Sequence, residues 1–171
     1  EIVSDERTKI LDYKRTNLKW NGWGWEGKNF DLGDEHHEGF FWEFVRENLR
    51  AGDLPTTPSM QWKDIVLPRS RVTAALRKRL VSILDEERVC TDAYERIFHS
   101  VGKSYRDLLR VRQGNLPGAP DVVVYPESTD QVVELVKLAA HKEFAVIPFG
   151  GGSSVVGGVE AVAGPNQKGV W

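Results

Sequence analysis

Along the first two thirds of the chain, apolar residues recur at helical spacing between polar stretches broken by proline. Beyond Pro117 they gather into short unbroken runs. Phe40, Phe41, Phe44, Val45 and Leu49 fall near one helical face, and Gly52 stands where a helix end favours glycine, so an amphipathic helix is expected over about 40–50. Upstream, residues 1–38 are polar and irregular except for Trp20, Trp23 and Trp25, which are interleaved with Gly22 and Gly24. The glycines oppose a regular element, so this stretch reads as a loop stapled down by burial of at least two of its three indoles. Pro55, Pro58 and Pro68 break the following stretch and leave little regular structure around the apolar patch at residues 65–67. Ser70 is placed to cap a helix running to about residue 87, with Val72, Leu76, Leu80, Ile83 and Leu84 along one side. Shorter helices are expected over 92–100 and after Ser104.

The later pattern is different. Val122, Val123 and Val124, between Asp121 and Tyr125 and bounded by Pro120 and Pro126, suit a short strand covered on both faces. Ser128 and Gln131 then form a capping box, in which hydroxyl and amide side chains satisfy orphan backbone donors at a helix start. That helix carries Val132, Val133, Leu135, Val136, Leu138 and Ala139 to about residue 142. Phe144, Ala145, Val146 and Ile147 make a second buried run. Strand, helix and strand in this order predict a right-handed βαβ unit with its two strands parallel and adjacent. The fold class is therefore α+β, with an amino-terminal arm and helical region over 1–115 and a βαβ-containing domain over 116–171.

Composition narrows the function less than the pattern does. Lys plus Arg number 23 against 25 Asp plus Glu, so bulk charge attracts neither nucleic acid nor an acidic partner. Cys90 is the single cysteine, which excludes an internal disulfide framework and any CxxC motif and fits a reducing compartment. It reads as a small buried hydrophobe. No run approaches the roughly 20 apolar residues that span a bilayer. The expected setting is cytoplasmic, at most peripheral to a membrane, or peroxisomal in a eukaryote. A first residue other than methionine and a last residue, Trp171, in a Gly/Pro-rich segment read as a piece of a longer protein. His36 and His37 lie beside acidic residues, but adjacent side chains on a solvated loop rarely converge on one ion, so no metal is expected. His99 reads as a packed or capping histidine, and Arg110 and Arg112 as helix-end arginines.

The second strand runs directly into Pro148, Phe149, Gly150, Gly151, Gly152, Ser153, Ser154, Val155, Val156 and Gly157. Successive glycines let backbone amides approach a ligand with no Cβ in the way, and the serines add hydroxyl donors. A diphosphate suits such a nest of neutral dipoles. The P-loop pattern fails because no lysine follows the glycines of this loop until Lys168, which precedes Gly169 and not a Ser or Thr, and the dinucleotide fingerprint fails because Val155 occupies the position of its last glycine. A plain surface turn is the bland alternative. The loop's place at the end of a buried strand, with no hairpin partner following, favours a ligand site.

The run from Pro120 to Pro126, the helix after Ser128, and the stretch from Val146 to Ser154 together resemble the start of the FAD-binding domain of the FAD-linked oxidases, a family that includes vanillyl-alcohol oxidase and D-lactate dehydrogenase. The resemblance implies the first βαβ unit of a PCMH-type FAD-binding domain, incomplete within this chain. It also implies FAD held by Pro148, Phe149, Gly150, Gly151, Gly152, Ser153, Ser154, Val155 and Gly157. Ser153 replaces a threonine usual there and keeps the hydroxyl. Lys19-Trp20-Asn21-Gly22-Trp23-Gly24, residues 96–102 and residues 108–112 resemble the alkylglycerone-phosphate synthases, the ether-lipid branch of the family. That branch exchanges the acyl group of acyl-dihydroxyacetone phosphate for a long-chain fatty alcohol at the flavin, with no net redox change. It leaves peripheral membrane contact and a homodimer open. The family's catalytic tyrosine and histidine lie near the carboxyl end, so catalytic residues are not assigned within 1–171. Two other readings stay open: an FAD-linked oxidoreductase of a 2-hydroxy acid or alcohol, and a non-catalytic module with a degenerate nucleotide loop.

Overall fold

The computed structural model describes residues 17–28, 35–52 and 58–171; the side chains of residues 34–38, His36 and His37 among them, lie outside the described residues. The first helix, α1 (Glu35–Leu49), begins earlier than its apolar spacing suggests. Its apolar side chains do not enter a core: Phe40, Phe44 and Leu49 are exposed, and Val45 is half-buried.

Helix α2 (Ala74–Ile83) buries Leu76 and Leu80, one turn apart. Its cap is Thr73, whose hydroxyl accepts from the Leu76 amide at 3.2 Å, and not the expected Ser70. The Ser70 hydroxyl is otherwise engaged: it donates to the Asp121 carbonyl at 2.8 Å and accepts from the Val72 amide at 3.2 Å. That holds residues 70–72 out of the helix. The helix also stops at Ile83, short of residue 87, and a 3-10 turn (Glu86–Arg88) leads into strand β1 (Val89–Cys90). Cys90 is buried, as its residue type suggests. Helices α3 (Ala93–Phe98) and α4 (Tyr105–Arg112) follow, capped by Asp92 and Ser104.

Strand β2 (Val123–Val124), helix α5 (Thr129–Lys142) and strand β3 (Phe144–Ala145) realise the expected strand, helix and strand. Ser128 caps α5 through the Gln131 amide at 3.2 Å. The Gln131 side chain reaches one residue further back than in a standard box and accepts from the Glu127 amide at 2.7 Å. The expectation that the two strands are neighbours is corrected. β2 pairs antiparallel with β1, Val89 opposite Val124, whereas β3 pairs parallel with strand β4 (Gly169–Val170).

The physical reason is Asp121. Its amide donates to the Val170 carbonyl at 2.7 Å, and its carboxylate accepts from the Val170 amide at 3.0 Å. Residues 169–171 therefore occupy the place between 121 and 145, and the Trp171 amide closes the other side on the Ala145 carbonyl at 2.8 Å. The same carboxylate takes the Arg71 amide at 2.8 Å and its guanidinium at 3.0 Å. One buried acid thus ties residues 70–71, 121 and 170 together, and its charge is met by donors on each side. The main core gathers Leu76 and Leu80 from α2, Leu84 just beyond it, Val89, Val122, Leu135 and Ala139 from α5, Phe144 and Trp171. The helical region and the βαβ unit share this core, and the β1–β2 pairing crosses the boundary expected near residue 115.

The tryptophan arm is also corrected. Trp20 is half-buried, but Trp23 and Trp25 are exposed, so ring burial does not staple it. Backbone polar groups hold it instead. Leu18 and Trp25 form an isolated antiparallel bridge, Lys19 N donates to Gly24 O at 3.0 Å, and Lys103 Nζ donates to the Lys19 carbonyl at 2.8 Å and the Trp20 carbonyl at 3.3 Å.

Candidate functional site

Ile147 is the last residue of the β3 side tied to the sheet, through its amide and the Trp171 carbonyl at 3.0 Å. Pro148, which has no amide proton, ends the ladder there, and the chain leaves as the glycine loop. Phe149 folds back and packs on His99, with ring centroids 4.5 Å apart, and on Phe98 at 6.4 Å.

Of the three successive glycines, Gly152 takes the positive φ, +68°, and a Cβ there would lie 2.6 Å from the Phe149 ring. Two constraints therefore require glycine at that position, backbone sign and space. A Cβ at Gly150 would meet nothing within 4 Å. Gly150, Gly151 and Ser153 are exposed, and among the described residues the amides of Gly150, Gly151, Gly152 and Ser153 donate no hydrogen bond. Gly152 itself is buried, so the exposed unbonded amides are on Gly150, Gly151 and Ser153, and such donors suit a phosphate because each unmet donor gains a charged acceptor on binding.

The far side of the loop is pinned. The Ser154 carbonyl accepts from the Lys103 amide at 2.7 Å, and its hydroxyl accepts from the Gly158 amide at 3.2 Å. Gly102 lies so close beneath that a Cβ there would collide with the Ser154 carbonyl. Val155 and Val156 are exposed, and Gly157 turns the chain at φ +76°. The return stretch is held by the Ala161 amide on the Ser100 carbonyl at 2.8 Å and by Arg110 on Glu160 at 2.9 Å. Arg110 thus has a structural partner at the loop.

Beside the loop opens a cavity of about 460 Å³ with a largely apolar lining that includes His99, Tyr125, Val132, Val136, Val146 and Phe149. His99 sits at the C-terminus of α3 as a packed, capping residue: Nδ1 lies 2.8 Å from the Glu95 carbonyl, and Nε2 lies 3.4 Å from the Tyr125 hydroxyl. The Tyr125 hydroxyl donates to the buried Glu95 carboxylate at 2.6 Å. This cluster fixes the ring on which Phe149 rests. Lys103 holds the pinned end of the loop through its backbone amide, while its ammonium is turned toward the arm. Burial pulls its pKa down to about 8, opposed by Glu26.

All the sequence-predicted site residues lie on this single loop. Gly152 and Gly157 shape it, Phe149 and Ser154 anchor it, and Gly150, Gly151 and Ser153 present amides. His99, Tyr125, Gly102 and Lys103 support or border it, and sequence reasoning did not place them there. Gly102 was the available signal, a glycine between two helical stretches where one backbone passes close to another. Among the described residues no group of metal-ligating side chains is present.

Neutral amides presented at the end of a parallel strand, next to an apolar cleft, fit a ligand with a diphosphate and an aromatic ring. A flavin nucleotide is one such ligand. Residues 120–166 match the FAD binding domain family, and FAD is the cofactor of that domain. Over most of its length the chain is similar to alkyldihydroxyacetonephosphate synthases. It is 34% identical over 158 residues to the alkyldihydroxyacetonephosphate synthase of Trypanosoma brucei brucei, covering 84% of this chain and 26% of that one. A solved structure of alkyldihydroxyacetonephosphate synthase superposes with a TM-score of 0.74 at 30% identity, covering 90% of this chain and 30% of the other. A probable mitochondrial D-lactate dehydrogenase of Danio rerio is 47% identical over 45 residues, which is 26% of this chain and 9% of that protein. The chain thus spans about a quarter of the length of the synthase relative it matches.

Proposed function

We propose that the protein to which this chain belongs exchanges the acyl group of acyl-dihydroxyacetone phosphate for a long-chain alcohol, with the FAD diphosphate on the amides of Gly150, Gly151, Gly152 and Ser153. The observation that carries the reading is the loop itself, whose unbonded amides include those of the exposed Gly150, Gly151 and Ser153, beside Phe149 and the clamp on Ser154. Similarity to the synthase continues through the helical region, whereas similarity to the dehydrogenase stops within about one βαβ unit. Bound flavin would supply a ring able to accept and release electron density at the reacting carbon. The residues of this chain bind and orient it: the loop fixes the diphosphate, and the apolar cavity beside His99 and Phe149 excludes water from one flank.

The full-length protein should carry a visible flavin band and incorporate labelled hexadecanol into an ether in the presence of acyl-dihydroxyacetone phosphate. Reduction of a dye by D-lactate without ether formation would move the assignment to the oxidoreductase reading. A purified protein with no flavin would remove both.

A further inference from the structure

Lys103 touches two parts of the molecule that lie far apart in sequence. Its backbone amide holds the Ser154 carbonyl of the glycine loop at 2.7 Å, and its ammonium holds the carbonyls of Lys19 and Trp20 at 2.8 and 3.3 Å. The stem lies against Phe98, with Nζ 5.5 Å from that ring, and Phe98 in turn packs on Phe149 at 6.4 Å. Gly102 fits under Ser154 with no room for a Cβ, so residues 102 and 103 cannot shift without moving the loop. We propose that Lys103 is a positioning residue that couples docking of the tryptophan arm to the conformation of the diphosphate-binding loop.

The physical argument is one of shared constraint. The arm has little ring burial to hold it, since Trp23 and Trp25 are exposed, so an ammonium donating to two carbonyls is a main attachment. When the arm is docked, the Lys103 side chain is fixed in one rotamer, and its backbone is fixed with it under Ser154. When the arm leaves, the buried ammonium loses its acceptors and must turn toward water, and residues 102–103 are freed to move. A ligand on the loop then binds a less organised site. By reciprocity, loop occupancy strengthens arm docking. The consequence for flavin affinity rests on the FAD reading of the loop; the coupling itself does not.

The test is hydrogen exchange on the full-length protein without added flavin, read separately over residues 17–28 and at the amides of residues 103 and 158, which are bonded to Ser154 of the loop. Lys103→Met should raise exchange in both windows, and Lys103→Arg should restore both. Removal of residues 1–28 should raise exchange at the residue 103 and 158 amides with Lys103 intact, and Lys103→Met added to that deletion should change them little further. FAD affinity should fall at least about fivefold in Lys103→Met, the low end of measured couplings between sites. A loop that keeps wild-type exchange in either the Lys103→Met variant or the deletion would overturn the coupling. Windows that move together in a protein that takes up no FAD would sink the cofactor assignment and leave the coupling standing.

Discussion

Helices α1 and α5 carry apolar stripes of comparable clarity, yet they end in opposite circumstances. α5 buries Leu135 and Ala139 against α2 and the sheet, while α1 leaves Phe40, Phe44 and Leu49 in the open. The difference lies in what each helix packs against. α5 is capped at Ser128, ends with Glu143 in the left-handed region at φ 60°, and enters and leaves through strands already fixed in the sheet. α1 also ends on a left-handed residue, Arg50 at φ 51°, but none of its described side chains is buried. An apolar stripe therefore says that a face is available for burial, and the elements packed against it decide whether it is used.

The sharpest way to break that comparison is the same substitution on each helix. Leu135→Ala should destabilise the protein by about 2–5 kcal/mol through a cavity in the main core. Leu49→Ala should stay within about 0.5 kcal/mol, as for an exposed site. Urea unfolding followed by far-UV circular dichroism measures both, and comparable losses would show that α1 is buried after all. Between these limits, Asp121→Ala should cost roughly 1.5–3 kcal/mol, because it strips the buried carboxylate from Arg71 and from the Val170 amide. Ser128→Ala should cost about 1 kcal/mol by exposing the first turn of α5.

The smallest effect concerns the arm, which resembles α1 in its exposure but is held by Lys103. Burial lowers the Lys103 pKa to about 8 from 10.5, with Glu26 opposing. The folded state therefore binds fewer protons than the unfolded one between those values. Stability should rise as pH goes from about 8 toward 10.5, with no contribution from this group's titration below 8. Urea midpoints over that range, compared between wild type and Lys103→Met, read it. A wild-type response identical to that of the variant would contradict burial of the ammonium.

What the sequence revealed and what it hid follow the same division. The capping of α5, the strand runs on either side of it and the glycine loop were legible because each depends on residues within a few positions of one another. The order of strands was not legible, because it depends on Asp121 reaching residue 170, and no local pattern encodes a bond across 49 positions. The error at Ser70 has the same origin: a good capping residue was taken by the Asp121 carbonyl, and Thr73 capped the helix in its place. The arm was misjudged because three indoles suggested ring burial, whereas a lysine more than 80 positions away supplies the attachment. At the site itself, the loop was found and its supports were missed: Phe149 on His99, and Ser154 on Gly102 and Lys103, are long-range contacts.

The central claim is that the loop around Gly152 is shaped to hold the FAD diphosphate, and it is tested most directly by flavin stoichiometry in the Gly152→Val full-length protein. Valine there opposes the positive φ and collides with Phe149, so the row of amides cannot keep its arrangement. The account predicts loss of the visible flavin band, with helical circular dichroism retained and with Val156→Ala, at an 88% exposed position of the same loop, keeping its full flavin content. One FAD per chain in folded Gly152→Val protein would contradict it.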